Sequence, residues 1–297
     1  MKGILVFAAF AASSILSIPL APNHFHKLMD FQQEFPRNNI TALQPRIING
    51  SPAAPGTFQY QVEITIYGLL LSAFLLIGWC GGSIISETWV LTAAQCVNRD
   101  PSLQNPLPFI VVGFSIETRS GQETSISLND AHVHPLYDSD TRAYDFALLH
   151  TETLIYNANT GSIALPPAST VLDTYVNDVV IASGYGPTTN TQTGTPSSTL
   201  MWIQLQGITR AQCQAAYGSR FIPFSSFCAV DTTAPIGSTC SYDSGGPLTL
   251  TESGSTTLIG VISFTHPTGG CNGSPQGFAN VAFAIPWITT TRNAFPN

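Results

Sequence analysis

Residues 240–248 read CSYDSGGPL, and this stretch decides the fold when it is read with two others. Residues 79–96 read WCGGSIISETWVLTAAQC, and residues 144–149 read YDFALL. Around these segments, apolar and polar residues alternate with a period of two, as in residues 61–66 (QVEITI), between clusters of Gly, Pro and Asn. That alternation is typical of antiparallel β-strands with one buried face.

The same pattern predicts the positions of most regular elements. Further strands are expected at residues 89–93, 109–114, 146–150, 178–182, 201–206 and 257–264. They follow one another too closely for crossover helices to lie between them. Two short helices are expected, one at residues 209–217 with Thr209 as its cap and one at residues 286–292, which a proline opens.

Residues 64–77 form a stretch of fourteen residues without a charge. A membrane-spanning helix needs about twenty such residues. Because alternation precedes the stretch and Gly68 and Gly78 bracket it, we favour a strand, an apolar hairpin loop and a returning strand over membrane insertion. No membrane span is expected.

Together the three segments resemble the chymotrypsin-like serine proteases, in the order base, acid and nucleophile. Residues 46–50 (RIING) resemble the activation site of that family, and residues 183–186 and 286–288 resemble later landmarks. These motifs occur in the order that the family shows, over some 250 residues, which makes a chance resemblance negligible. The resemblance implies an all-β fold of two antiparallel six-stranded β-barrels with a short C-terminal helix. One peptidase-like domain, residues 47–297, would comprise an N-terminal barrel at 47–164 and a C-terminal barrel at 165–297.

The N-terminal segment and the six cysteines indicate export. Lys2 precedes an uncharged stretch, residues 4–20, which is typical of a secretory signal peptide over residues 1–20, with a signal anchor as the alternative. Residues 21–46 would form an activation propeptide. Six cysteines in an exported chain predict three disulfides, for which fifteen pairings exist. The resemblance implies one of them: Cys80 with Cys96, Cys213 with Cys228, and Cys240 with Cys271.

Composition limits the partners of the chain. Only 9% of its residues are charged and its formal charge is −7, so no basic footprint for nucleic acid is present. Residues 47–297 contain no lysine. With few cleavage sites for trypsin-type proteases, the chain is suited to secretion into a protease-rich fluid such as a gut lumen. Compositional drift explains the absence of lysine equally well.

The resemblance assigns catalytic roles and shows one of them broken. In this family a serine attacks a peptide carbonyl, an imidazole takes its proton, and a carboxylate orients the imidazole. Asp145 and Ser244 match the carboxylate and the serine. The imidazole position is Gln95, whose carboxamide has no basic lone pair near neutral pH. Ser244 would therefore remain a weak nucleophile.

A second departure concerns the oxyanion hole. In the family a glycine two residues before the serine contributes its backbone N–H beside that of the serine, and here that residue is Tyr242. We expect the tyrosine to rotate this peptide or to crowd the leaving-group side, and the loss of one such donor costs about 2.7–4 kcal/mol of transition-state stabilisation.

Four histidines follow residue 46 and are candidates to replace the missing base: His132, His134, His150 and His266. The resemblance places the first three around the Asp145 strand, where a surface or packing role is expected. His266 follows Ser263 and Thr265, which match a segment lining the substrate cleft. It is therefore the one candidate to contact Ser244.

The activation switch and the specificity pocket are also assigned by resemblance. Cleavage after Arg46 by a trypsin-like protease would free the amino group of Ile47, which would pair with Asp243. Ser238 would form the base of the primary pocket. The same pocket would include Ser263, Thr265 and Gln276, and with no carboxylate in it, it would accept apolar or neutral side chains. No metal and no cofactor are expected.

The sequence thus predicts a secreted, disulfide-bonded serine protease homologue without catalysis, which acts by binding a peptide or protein in its cleft. The rival prediction is an active chymotrypsin-like endopeptidase that uses His266, a histidine on the substrate, or a histidine at position 95 if Gln95 is a sequence error.

Overall fold

A computed structural model describes residues 47–70, 73–97, 109–113, 123–126, 130–186, 197, 199–218, 222–233, 236–265, 271 and 275–296. All of them belong to one compact unit, Gln44–Asn297. The predicted signal peptide, the propeptide and Arg46 lie outside the described residues, and so does His266. No described helix is long and apolar enough to cross a membrane.

The first sheet is antiparallel and has the strand order β6-β5-β2-β3-β4-β8-β7. Its strands are β2 (Gln61–Leu70), β3 (Ala73–Ser86), β4 (Trp89–Thr92), β5 (Phe109–Gly113), β6 (Glu123–Ile126), β7 (Ala131–Val133) and β8 (Ala147–His150). The two edge strands, β6 and β7, are nearly consecutive in the chain. Since five residues from Ile126 to Ala131 span at most about 18 Å, the two edges of the sheet must lie close together, as in a barrel.

The second sheet closes on itself. Its order is β1-β10-β11-β14-β13-β12-β9, and β9 also pairs with β10, so six strands form a closed barrel. The strands are β1 (Ser51–Pro52), β9 (Val179–Gly184), β10 (Met201–Ile208), β11 (Ser226–Val230), β12 (Pro247–Glu252), β13 (Ser255–Phe264) and β14 (Gln276–Asn280). The two-residue β1 is an addition at the edge of β10. The expected all-β fold of two barrels is confirmed.

Alternation determines which face of each strand is buried. In β10, Met201, Ile203 and Leu205 point into the second barrel, while Gln204 between them is exposed. The strand predicted at residues 61–66 extends to Leu70, and the strands predicted from residue 89 onward appear with bounds shifted by at most two residues. The strands β1, β6, β7, β11, β12 and β14 were not predicted.

Both predicted helices are present. Helix α1 (Arg210–Tyr217) begins at Thr209, whose hydroxyl accepts the backbone N–H of Gln212, while the Gln212 side chain accepts the backbone N–H of Thr209. This reciprocal pair is a capping box. Helix α2 (Ile285–Ala294) has Pro286 in its first turn, where a missing N–H costs nothing.

The apolar stretch forms a strand pair. Strands β2 and β3 stay paired as far as Leu70 opposite Ala73, with one bulge beside Ile66. The predicted apolar loop is therefore mostly strand, because the ladder hydrogen bonds continue through it.

Three disulfides lie within the described residues and use all six cysteines. They join Cys80 to Cys96, Cys213 to Cys228, and Cys240 to Cys271. These are the pairs that the resemblance implies. Each closes a loop of 15 to 31 residues, for which loop closure contributes about 3 kcal/mol.

The two barrels meet at glycines. A Cβ on Gly81 of β3 would lie 2.7 Å from the Cα of Gly246 in the second barrel. Gly245 has a φ of +85°, and a Cβ there would lie 2.2 Å from Thr92 Oγ1 and 2.4 Å from the carbonyl oxygen of Gly81. The Gly-Gly pair after Ser244 is thus required by the close approach of two backbones, which no side chain permits.

We predict that Gly245→Ala lowers the free energy of unfolding far more than Gly254→Ala does. Both glycines have positive φ, but nothing lies within 4 Å of a Cβ at Gly254, so that variant carries only the backbone strain of about 1–2 kcal/mol. Gly245→Ala adds overpacking of about 1–3 kcal/mol. Urea denaturation of both variants measures the difference, and equal losses would contradict the assigned contact.

Candidate active site

Asp145 lies at the centre of the site and is completely buried. It precedes β8, and its carboxylate accepts three hydrogen bonds. Oδ1 accepts the backbone N–H of Gln95 at 2.9 Å, and Oδ2 accepts the Gln95 side-chain amide at 2.9 Å and the Ser263 hydroxyl at 2.6 Å. Burial raises the pKa of Asp145, and the bonds from Ser263 and Gln95 oppose that rise.

Gln95 occupies a short 3₁₀ turn, Ala94–Cys96, that follows β4. Its amide nitrogen must face Asp145, because a carboxylate only accepts hydrogen bonds. The same Nε2 also donates to the backbone carbonyl of Ser263. Both amide protons are therefore used, and the remaining Oε1 is an acceptor with no appreciable basicity.

Ser244 lies in the loop between Cys240 and β12 and is half-buried. Its carbonyl oxygen accepts the backbone N–H of Gly81 at 2.7 Å and is 3.6 Å from Cys96 Sγ. Among the described residues, none forms a hydrogen bond with the Ser244 hydroxyl. The structure thus brings Gln95, Asp145 and Ser263 together but does not connect Gln95 to Ser244.

The backbone donors of the predicted oxyanion hole carry no internal hydrogen bond. Within the part of the chain that the structure describes, nothing accepts the N–H of Tyr242 or of Ser244. The next amide, that of Asp243, donates to the carbonyl of Cys240 at 3.1 Å. The two amides of the predicted oxyanion hole, on either side of Asp243, thus have no acceptor among the described residues.

Tyr242 adopts a left-handed backbone, with a φ of 75°. For a non-glycine residue this conformation costs about 1–3 kcal/mol. Its ring packs edge-on against Trp79, with centroids 4.9 Å apart, and such aromatic pairs contribute about 0.5–1.5 kcal/mol. The contact with Trp79 was not foreseen, because the two residues are far apart in sequence.

Three of the four weighed histidines pack against aromatic rings. His150 stacks on Trp89 at 4.4 Å, and His132 contacts Phe295 at 4.4 Å. His134 is buried against Tyr144, and burial lowers its pKa to about 4. The expected packing role of these three residues agrees with these contacts, and His266 lies outside the described residues.

Asp243 is a second buried carboxylate, on the far side of the Ser244 loop. It accepts the backbone N–H of Gly186 at 2.7 Å and that of Cys240 at 2.8 Å. Burial raises its pKa to about 7. Ile47, at the predicted cleavage site, is completely buried and has a φ of 57°, a strained value for a β-branched residue.

The residues assigned to the base of the primary pocket are buried and bonded to their neighbours. Ser238 donates its hydroxyl to the carbonyl of Cys271. Gln276 accepts from the backbone N–H and the hydroxyl of Thr239, at 2.9 and 3.0 Å. Both side chains are thus held by hydrogen bonds to neighbouring residues. The contact with Thr239 was not predicted from the sequence. Thr265 is half-buried at the end of β13.

Comparison with known proteins decides the family. The trypsin family model matches residues 47–288. The chain belongs to the trypsin family. The match begins at Ile47, the residue that the sequence placed after the activation cleavage.

Several trypsin-family relatives cover most of this chain. A collagenase of Hypoderma lineatum is 30% identical over 86% of this chain and 90% of its own length. Serine protease 1 of Drosophila melanogaster is 32% identical over 84% of this chain and 86% of its own length. Trypsin-1 of Astacus astacus is 30% identical over 82% of this chain and 98% of its own length. A solved structure of HL collagenase superimposes with a TM-score of 0.69 at 28% identity and covers 83% of this chain and 99% of its own.

We predict that Gln95→Met destabilises the protein more at about pH 8 than at about pH 4. Because burial raises the pKa of Asp145, a larger share of the folded protein has a neutral carboxyl at the lower pH, and there the variant removes a bond to a neutral group. At the higher pH the variant removes a bond to a charged group, at a cost of about 2 kcal/mol.

Urea denaturation at both pH values measures this difference. Gln59→Met is the matched control, since the Gln59 amide donates to the carbonyl of Ala158 and not to a carboxylate. It should be equally costly at both pH values. A loss for Gln95→Met that does not change with pH would contradict the bond to an ionised Asp145.

Proposed function

We propose that this member of the trypsin family is a secreted serine protease homologue without peptidase activity, which acts by binding a peptide or protein in its cleft. One observation carries the proposal: the Gln95 amide donates to both Asp145 and the Ser263 carbonyl. The group that would remove the Ser244 proton is thus replaced by one that holds the surrounding residues in place.

The chemistry of Gln95 supports the loss of catalysis. General base catalysis needs a group that takes a proton in the transition state and returns it to the leaving group, and it contributes about 10²–10⁴-fold to the rate. A carboxamide does neither near neutral pH. The described histidines pack against aromatic rings, so they offer Ser244 no substitute.

The rest of the site supports binding. No described residue accepts from the amides of Tyr242 and Ser244, which supports a role for them in holding a peptide carbonyl. Ser238 and Gln276, which the resemblance assigns to the base of the primary pocket, are buried and hydrogen-bonded to neighbouring residues. This supports a pocket that accepts a neutral side chain. A peptide carbonyl held by these amides without an activated serine would be bound and not cut.

Secretion and activation complete the proposal. The apolar segment at residues 4–20 and three disulfides suit an oxidising compartment. Cleavage after Arg46 by a trypsin-like protease would free the Ile47 amino group as a partner for Asp243. Such a switch would shape the cleft without starting catalysis.

The rival function is an active chymotrypsin-like endopeptidase, and the named relatives favour it, since they are called collagenase, serine protease and trypsin. It needs His266 or a histidine of the substrate to act on Ser244. Labelling of the activated protein by a fluorophosphonate separates the two, because only an activated serine reacts.

We predict that the wild-type protein is not labelled and that Gln95→His is. An imidazole at this position would contact the same Asp145 carboxylate. The amides of Tyr242 and Ser244 have no acceptor among the described residues. The labelling rate should rise about 10²–10⁴-fold. Sequencing of the codon for Gln95 in the source is the first check.

Two controls make the result specific. Gln95→His combined with Ser244→Ala should abolish labelling. Tyr242→Gly combined with Gln95→His tests the oxyanion hole, since a further increase would show that the tyrosine impairs it. Wild-type labelling within tenfold of an ordinary trypsin would overturn the proposal and support the rival function.

We predict that cleavage after Arg46 raises the melting temperature, and by more at about pH 7.5 than at about pH 5. In the intact chain the pKa of Asp243 is about 7, against about 4 when unfolded, so stability falls as the pH rises through that window. A paired Ile47 ammonium would remove this loss. Cutting the bond also removes the constraint behind the strained φ of Ile47.

Calorimetry before and after limited proteolysis checks this expectation. Asp243→Asn should abolish the pH dependence of the gain, while the part that comes from Ile47 strain should remain. Equal melting temperatures before and after cleavage would show that the switch has been lost.

A further inference from the structure

A second cavity lies apart from the catalytic loop, beside the 3₁₀ turn Ala168–Leu172 and helix α1. Its volume is about 120 Å³. The walls are mainly apolar and include Ile208, Ile222, Phe227 and Phe283. A cavity of about 150 Å³ with such walls stays dry and holds a benzene ring in another protein. One six-membered ring is therefore the largest group that suits this space.

The rim of the cavity is apolar and exposed. Leu172 is 75% exposed and Phe224 is 72% exposed. The Arg210 guanidinium lies 5.6 Å from the centre of the Phe224 ring and donates to the carbonyls of Ile222 and Pro223. These contacts hold the Phe224 loop in place before any partner arrives. An apolar rim that is already ordered is a feature of contact sites.

Two polar groups of the same cavity lack partners. Asn280 is only 4% exposed; its Oδ1 accepts the N–H of Ala282, while no described residue pairs with its Nδ2. The hydroxyl of Ser226, which is 6% exposed, also has no hydrogen-bond partner among the described residues. Buried polar groups are normally paired, so the Nδ2 of Asn280 is available to an oxygen brought by a ligand.

An acidic groove continues from the cavity. It has a volume of about 340 Å³ and shares Leu172, Asp173 and Thr174 with the cavity. Asp178 and Glu252 also line it. Burial raises the pKa of Tyr175 in this groove, and the three carboxylates add to the rise, as expected where negative potential accumulates.

We propose that this surface, formed by the cavity and the groove, docks a basic polypeptide segment that inserts a tyrosine side chain into the cavity. The ring fills the apolar space, and its oxygen accepts from Asn280. Lysine or arginine residues next to the tyrosine lie in the groove opposite Asp173 and Glu252. This site goes beyond the proposed function, because it does not use the cleft.

The observations favour a polypeptide over a small free phenol. A single ring in the cavity would leave Leu172 and Phe224 exposed, whereas the flanking residues of a peptide would cover them. An acidic segment would meet repulsion from the groove and from a chain with a formal charge of −7.

The test is fluorescence anisotropy with the labelled peptide acetyl-Leu-Tyr-Lys-Lys-amide and the purified protein. Replacing Tyr by Ala in the peptide should weaken binding about tenfold or more, since the ring is lost from an apolar cavity. Replacing both Lys by Gln should weaken it at about 0.05 M salt and change little at about 0.5 M, because salt screens the groove.

Variants of the protein test where the peptide binds. Phe224→Ser and Leu172→Ser should each weaken binding severalfold, whereas Ile155→Ser, at an exposed residue outside the cavity, should not. Asp173→Asn with Glu252→Gln should reduce the salt dependence, since only Asp178 of the three carboxylates remains, and Glu152→Gln should leave it unchanged. Equal binding of the Tyr and Ala peptides, or an Ile155→Ser effect as large as that of Phe224→Ser, would overturn the proposal.

Discussion

The carboxylate of Asp145 joins the two barrels, and the arrangement of the site depends on it. Asp145 and Gln95 belong to the first barrel, while Ser263 belongs to β13 of the second. A completely buried carboxylate is tolerated only when its lone pairs are satisfied, and here three donors from both barrels meet it. Gln95 therefore has a structural role that needs no proton transfer, and a side chain without basicity fulfils it.

The other buried carboxylate, Asp243, is satisfied differently. Among the described residues two backbone amides meet it, and burial raises its pKa to about 7 despite these two bonds. The chain thus contains one buried carboxylate that side chains help to satisfy and one that meets only backbone amides among the described residues. The first maintains the junction between the barrels, and the second lies in the loop that carries Ser244.

Local sequence patterns were sufficient for much of the fold. Alternation in residues 61–66 located β2, and Thr209 marked the start of α1 with its capping box. The resemblance assigned Gln95, Asp145 and Ser244 to one site, and the described residues show the bond from Gln95 to Asp145 but none from Gln95 to Ser244. The hydrogen bond from Ser263 to Asp145 joins residues 118 positions apart, and the left-handed backbone of Tyr242 is unusual for its residue type. Neither follows from local propensity, because tertiary contacts impose both.

The pair formed by Tyr242 and Trp79 changes the character of the cleft wall. Tyrosine and tryptophan are the residue types that dominate the energy of protein interfaces, and each has only two side-chain torsions to fix. Here the two rings already hold each other, 4.9 Å apart. A partner that binds these rings contacts side chains that are already ordered, so binding costs little further side-chain entropy. In kinetic terms, contacts of this kind act mostly by slowing the dissociation of a bound molecule.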